Sequence, residues 1–478
     1  MNKQEIEFDQ LSILPDSWEW LPLEEVIQNP KQDIVDGPFG SNLKASEYVN
    51  EGVAIARLQN IDRNEFVHKN IRFISAEKSR HLSRHNFKAG DILITKLGDP
   101  LGKACIVPSS IAGGIIVADL VRVRIGHKEI DSHYLMYALN SPFLARQFEK
   151  HTKGTTRPRV NLGIVRSLPI PVAPKNQQSR IVAEIEKQFS RLDEAVANLK
   201  RVKANLKRYK ASVLKAAVEG RLVPTEAELA SREGRSYETG GQLLHRTLDT
   251  RRSMWNGKLT MPAGPIVSDL PELPAGWIWV SAVQACDPVI DCHNKTAPYI
   301  NDGIPLVRTT NIRDGRLVLE DLRYVDQPTY EYWSRRCPPQ PGDVLFTREA
   351  PMGEAGIIPP GLQLCLGQRT MLMRPSLAIS AGFLLASLMS PVVKGLIDRV
   401  AVGSGVKHLR VGDVERLPIP LPPLVEQHRI VAEVERLLSV IEELEAAVEA
   451  NLIRANRLRQ ATLQKAFSGK LLLNGART

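Results

Sequence analysis

Along two stretches of the chain, roughly 176–219 and 425–468, apolar residues return every seven positions and most positions between them are charged or polar. In the first stretch Ile185, Leu192, Leu199, Leu206 and Val213 form one seam, and Ile181, Gln188, Ala195, Val202 and Tyr209 form its companion. In the second, Val434, Ile441, Val448, Ala455 and Thr462 run beside Ile430, Leu437, Leu444, Asn451 and Leu458. A 3.5-residue period predicts coiled-coil helices, and a polar Asn451 on a seam is a residue type that sets register. Each stretch follows a Pro-rich run that blocks an earlier helix start. At about 1.5 Å per residue each helix would span roughly 65 Å. That outruns a globular segment of about 150 residues, so much of each stripe needs a second helix, and the other copy is tethered in the same chain.

Charge predicts how the two helices pair. The first has acids early (Glu184, Glu186, Asp193, Glu194) and bases late (Lys200, Arg201, Lys203, Lys207, Arg208, Lys210). The second has Glu433, Glu435, Glu442, Glu443, Glu445 and Glu449 before Arg454, Arg457 and Arg459. With midpoints aligned, a parallel pair sets like charges together at both ends. An antiparallel pair sets acids against bases. Each exposed pair is worth under about 1 kcal/mol, but roughly half a dozen acting together can choose the orientation.

The rest of the chain reads as short strands and helices. IVADLVRVRI (116–125) and GDVLFT (342–347) are β-branched runs bounded by Gly, Pro or Asp, whereas SHYLMYALNSPFLARQFEKH (132–151) and AGFLLASLMSPVVKGLIDRV (381–400) are helical stretches interrupted at Ser-Pro. These segments belong to a repeat. LPIPVAPKNQQSRIVAEIEKQF (168–189) returns as LPIPLPPLVEQHRIVAEVERLL (417–438), an offset of 249 residues. Three further pairs match in outline: GVAIARLQNI (52–61) with GIPLVRTTNI (303–312), AGDILITKLGDPLG (89–102) with PGDVLFTREAPMG (341–353), and LPDSWEWLPLEEV (14–26) with LPAGWIWVSAVQA (273–285). A repeat of half the chain is too long for a solenoid.

The predicted fold is therefore α+β, with two mixed α/β domains in tandem, each followed by a long helix, and the two helices pairing as an antiparallel coiled coil. The boundaries are 1–174 for the first domain and 175–222 for its helix. An exposed linker covers 223–272, the second domain 273–423 and its helix 424–474.

Composition narrows the class. The 478 residues are 43% hydrophobic, enough for two separate cores. Lys and Arg number 63 against 53 Asp and Glu, a net +10 that suits a polyanionic partner. Five cysteines (105, 286, 292, 337, 365) form no Cys-x-x-Cys pair, which points to reduced thiols, and Cys292-His293 lacks a second cluster to complete a metal site. No window approaches the roughly 18 apolar residues of a membrane span, so a soluble cytoplasmic protein is expected.

The loop Gly154, Thr155, Thr156, Arg157 and Arg159 joins a permissive backbone, hydroxyls and guanidinium groups, a set suited to phosphate oxygens and base edges. Gly403, Ser404, Gly405, Lys407 and His408 occupy the matching positions and keep small, hydroxyl and basic character. Lys96 and Arg348 each follow a Gly-Asp-apolar-apolar-apolar-Thr strand and are expected at its end, within reach of a duplex. The run DGPFGSNLK (36–44) reads as a structural corner. The second half carries VIDCHNKTAP (289–298) there instead, as expected if the halves read different bases.

Together, the tandem LPIP…RIVAE runs leading into heptad helices, DGPFGSNLK, the GDILITK-like strands and the Gly-Thr-Thr-Arg-Pro-Arg loop resemble the specificity subunit of type I restriction-modification systems, over nearly the whole chain. The resemblance implies two target recognition domains, each reading one part of a split double-stranded DNA sequence, and an antiparallel helical spacer that docks two modification (methyltransferase) subunits. Restriction (motor-nuclease) subunits would join for cleavage. S-adenosylmethionine, ATP and Mg are then expected on those partners and no cofactor on this chain.

An enzyme in its own right is disfavoured. No Asn/Asp-Pro-Pro-aromatic motif of an adenine methyltransferase occurs, and Gly98 to Ala104 lacks the spacing and hydroxyl of a phosphate-binding loop. The alternative to DNA recognition is a coiled-coil scaffold or clamp whose globular ends bind protein.

Overall fold

The computed structural model describes residues 13–39, 42–126, 130–152, 158–254, 261–267, 269–293 and 295–472. The chain forms two compact units, 1–200 with 449–478, and 201–448.

In the first unit two four-stranded sheets form the frame. One has the order Ile34–Asp36, Leu120–Val123, Ile92–Thr95, Ala104–Ile106, with every pair antiparallel. The other runs Arg72–Ile74, Val53–Ala56, Gly113–Ile116, Asn86–Lys88, and its central pair is parallel. All four residues of Ile92–Thr95 are buried, because both faces of the strand are covered. Ile92 and Ile94 join the core containing helix Ser132–Leu139, while Leu93 faces Ala56, Cys105 and Ile116. Alternation in a strand sends successive side chains to opposite faces, and here each face finds an apolar layer.

The second unit repeats the plan. Its strands Cys286–Asp291, Thr370–Pro375, Val344–Thr347 and Ala355–Ile357 lie in the same order as the first set. Arg323–Val325, Ile304–Val307 and Cys365–Leu366 reproduce the sheet with the parallel pair. The motifs shared by the halves are structural devices. Buried Asn60 accepts from the Arg57 amide and donates to the Val67 and Lys69 carbonyls, closing a hairpin. Asn311 does the same with Arg308, Val318 and Glu320. The Gly-Asp of each strand run places Asp91 against Arg124 and Asp343 against Arg374 in two-pronged ion pairs.

Each LPIP run is a short strand, Pro169–Val172 or Pro418–Leu421, paired antiparallel with a strand from its domain's start. Proline cannot donate to a ladder, so these two-stranded ribbons tolerate it where a central strand would not. They lead into the long helices Lys175–Val218 and Leu424–Phe467, of 44 residues each. A tryptophan ties each ribbon to the helix start: Trp18 Nε1 donates to Gln177 at 2.9 Å and Trp277 Nε1 to Glu426 at 3.0 Å.

The helices pair antiparallel. In the first unit Arg459 donates to Asp193 and lies over the Phe189 ring, and Thr462 Oγ1 donates to Gln188 at 2.9 Å. In the second unit Lys210 and Leu214 line one groove with Val434, Glu435, Leu438 and Glu442. Early acids thus meet late bases, as the charge pattern required.

Packing on the seams is more selective than the heptads suggest. Val434, Ile441, Val448, Ala455 and Thr462 are all buried. On the first helix Ile185, Leu206 and Val213 are buried, while Leu192 and Leu199 are half-buried. The companion seams open to solvent in mid-helix at Val202, Tyr209, Leu444 and Leu458. Asn451 is also exposed, outside the buried seam where a register-setting asparagine would act.

The segment expected to be an exposed linker is instead largely docked. Helices Glu226–Glu233 and Gly240–Ser253 start at the side-chain caps Thr225 and Thr239. Leu243 joins the core with Trp277, and the Glu226 amide donates to buried Glu426 at 2.9 Å. Apolar residues spaced along a short polar helix were enough to bury one face. Among the described residues, no single helix is long and apolar enough to cross a membrane.

Candidate nucleic-acid interface

The site is built where the buried central strand of each unit ends. In the second unit Val344–Thr347 is followed by Arg348 and Glu349, and the loop 403–408 lies against them. Val402 and His408 exchange two backbone hydrogen bonds of 2.9 Å, which close the loop, and the Leu409 amide donates to the Arg348 carbonyl at 3.0 Å. Gly403 has φ +109°, and a Cβ there would sit 2.6 Å from the Val406 carbonyl oxygen, so only glycine makes this turn without strain. Ser404, Gly405 and Lys407 are exposed at the tip and His408 is half-buried at its base.

The first unit anchors its loop in the same way. The Val160 amide donates to the Lys96 carbonyl at 3.0 Å and the Gly98 amide to the Pro158 carbonyl at 3.1 Å, with Leu97 bridged to Arg159. Arg159 is exposed. Gly154, Thr155, Thr156 and Arg157 lie outside the described residues. Two sequence segments sixty or more residues apart, Lys96 with Arg159 and Arg348 with His408, are thus brought to one strand end in each unit.

The two strand-end cations differ. Lys96 does not project into solvent as expected. It is 8% exposed, its Nζ lies 2.6 Å from Asp36 Oδ2, and the ammonium sits 4.5 Å above the centre of the Phe39 ring. Phe39 is itself 61% exposed, so the run 36–39 reaches the surface beside this site as well as turning a corner. Arg348 is half-buried and donates from Nη1 to the Leu409 carbonyl at 3.1 Å, which braces the base of the loop. Its Nε is buried without a partner.

Two further polar residues, Gln368 and Arg369, stand at the same strand end. No motif marks them, and only the pairing of Thr347 with Thr370 places them there.

The five cysteines are buried and unpaired. Burial pushes Cys105, Cys286 and Cys365 up to about 12, which leaves them unreactive thiols at neutral pH. His293 stacks on Trp333 with ring centres 4.8 Å apart. Among the described residues, no group of three His, Cys, Asp or Glu side chains is placed to hold a metal ion.

An exposed, glycine-turned loop with hydroxyl and cationic groups, clamped to the end of a rigid strand, presents donors that suit phosphate oxygens and base edges. The same anchoring of a cation-bearing segment at the strand end recurs in the first unit, which fits a partner that offers such groups twice. The family model for the type I restriction modification DNA specificity domain matches residues 41–208 and 331–452, one stretch in each half of the repeat. The chain belongs to this family.

Curated relatives agree. The chain is 24% identical over 351 residues to the type I restriction enzyme EcoBI specificity subunit of Escherichia coli, covering 73% of this chain and 68% of that protein. It is 22% identical to the EcoEI specificity subunit of Escherichia coli, covering 94% of this chain and 83% of that one. A solved chain from work on complex assembly and conformational transition of the type I R-M system shares the fold, with a TM-score of 0.63 and 21% identity over 96% of this chain and 100% of that one. The chain is therefore a specificity subunit of the type I family, concerned with recognising DNA targets.

Proposed function

We propose that each unit reads one half of a bipartite, asymmetric duplex target, and that this chain directs partner subunits to methylate adenine there or to cut the DNA. The observation that carries this reading is the duplication of one loop-and-strand-end site on two frames whose surrounding residues differ. Arg159 in one and Lys407 with His408 in the other supply cations to the duplex, together with the hydroxyls and amides of Ser404, Gly405 and the segment 154–157. Arg348 positions the second loop.

The chain itself is non-catalytic in this reading. S-adenosylmethionine, ATP and Mg act on two modification subunits and on the restriction subunits, in the cytoplasm. Exposed Val202, Tyr209, Leu444 and Leu458 supply apolar helix surface for modification subunits to cover. The domain boundaries 1–174, 175–222, 223–272, 273–423 and 424–474 belong to the same reading, with the long helices as the spacer.

The test is a domain exchange. Residues 273–423 are replaced by those of a relative with a different target, and methylated adenines are mapped across the host genome by single-molecule sequencing. One half of the methylated motif should change and the other persist. A change in both halves together would refute separate reading by the two units.

A further inference from the structure

The site shared by the two units contains a pair of positions at which they differ in chemistry. In the first unit Leu120 pairs with Thr95, and in the second Thr370 pairs with Thr347. Leu120 and Thr370 are thus equivalent, and so are the residues just before them. Asp119 corresponds to Arg369 and Ala118 to Gln368. The backbone confirms the match: the Lys96 amide donates to the Asp119 carbonyl, and the Arg348 amide to the Arg369 carbonyl, both at 2.9 Å. One frame therefore offers a carboxylate and a methyl group where the other offers a guanidinium and an amide.

Around Gln368 and Arg369 the second unit has a cavity of about 160 Å³, lined also by Thr296, Arg308, Thr309 and Thr310. Seven of its ten lining residues carry side chains that can form hydrogen bonds, and the Arg308 Nε is buried without a partner. Arg369 is held ready beside it. Its Nη1 lies 3.0 Å from Glu349 Oε1, and its side chain remains 53% exposed. One nitrogen of the guanidinium is thereby held while about half of the side chain stays accessible. Its backbone has φ +65°, a left-handed conformation that side chains other than Gly, Asn and Asp adopt only against resistance. Nothing in the turn requires arginine; glycine would fit it better. Gln368 accepts from Thr296 Oγ1 at 3.3 Å, which orients the amide and turns its NH2 end to donate elsewhere.

A guanidinium steadied from behind by a carboxylate, next to an oriented carboxamide, matches the chemistry of major-groove purine edges. Arginine pairs with guanine O6 and N7, and glutamine with adenine N6 and N7. We propose that Arg369 and Gln368 are the base-reading pair of the second unit, Arg369 taking a guanine and Gln368 an adenine. The equivalent Asp119 and Ala118 give the first unit a different preference at the same place in its frame.

This inference rests on the DNA-reading function proposed above, and one experiment separates the two. The chain is expressed with its modification partners in three forms: unaltered, Arg369→Gly, and Gln368→Ala. Glycine suits the φ of +65°, and alanine is what the first unit carries, so both variants preserve the backbone. Methylated adenines are then mapped by single-molecule sequencing. Arg369→Gly should relax one guanine position in one half of the motif, with discrimination there falling about tenfold or more, and Gln368→Ala should relax an adenine position in that same half. The other half should stay intact in both.

If the unaltered complex methylates without sequence preference, the DNA-reading function itself fails. If it is selective but both variants keep its motif, or lose methylation equally at every sequence, Gln368 and Arg369 do not read bases and the inference is overturned.

Discussion

Three cations near the candidate interface should behave in two different ways when each is replaced by alanine. Arg159 and Lys407 are exposed on the two loops, whereas Lys96 is 8% exposed and ion-paired with Asp36 at 2.6 Å. A side chain that neutralises one phosphate contributes about 0.9 to the slope of log K against log salt. Between 50 and 200 mM salt, a fourfold change, each such contact weakens binding about threefold. Arg159→Ala or Lys407→Ala should therefore lower the slope by about one unit each and leave folding stability within about 0.5 kcal/mol.

Lys96→Ala should do the reverse. It strands Asp36, whose side chain is only 15% exposed. Breaking a fully buried pair costs roughly 3–5 kcal/mol, and the residual exposure of both partners reduces this to about 2–4 kcal/mol. The slope should not change. Fluorescence anisotropy of the assembled complex on a labelled duplex at several salt concentrations gives the slope, and urea unfolding of the chain gives the stability of the first unit. The double variant Asp36→Ala/Lys96→Ala should recover much of the lost stability, because no charge is then left unpaired. If Lys96→Ala removed a full unit of slope and left stability unchanged, Lys96 would contact phosphate and the ion pair with Asp36 would not govern its role.

The seams supply a second prediction. Ile441→Ala empties a position that is 1% exposed and should cost about 2–4 kcal/mol in urea unfolding, whereas Leu444→Ala, at 48% exposure, should cost well under 1 kcal/mol; equal costs would refute the assignment of the buried seam. A third concerns Glu426, whose carboxyl burial holds above its ordinary value of 4.5 despite hydrogen bonds from the Glu226 amide and Trp277 and the nearby Arg429. Because the folded chain then binds the proton more tightly than the unfolded chain, this group's stabilisation is complete below pH 4.5 and is lost as pH rises through the raised value. Glu426→Gln should flatten the pH dependence of the second unit's unfolding above pH 4.5, and an unaltered dependence would show that Glu426 is not the group responsible.

Much of the architecture was legible along the chain because it depends on near neighbours. Heptads of Ile, Leu and Val specify a helix with an apolar stripe, and the order of acids and bases on two such helices specifies how they pair. The LPIP and Gly-Asp-apolar repeats announce one frame built twice, since each motif serves a local need, a ribbon strand or a capped turn. What the pattern leaves undetermined is which of two apolar seams is buried. Val434 and Ile441 are covered while Leu444 and Leu458 are open, and that choice depends on the partner surface and not on the helix's own period.

The roles of individual polar residues were least legible. Lys96 and Arg348 follow identical strand patterns, yet one is neutralised by Asp36, sixty positions away, and the other braces a carbonyl sixty-one positions away. Gln368 and Arg369 reach the interface only through the pairing of Thr347 with Thr370, and the linker is drawn in by Glu426, two hundred positions from Glu226. Local sequence determines which elements form, because their hydrogen bonds and dihedral preferences are local. The environment of a charge is set by whatever the fold brings beside it, so only the tertiary structure decided which cations are consumed by the frame and which stay exposed.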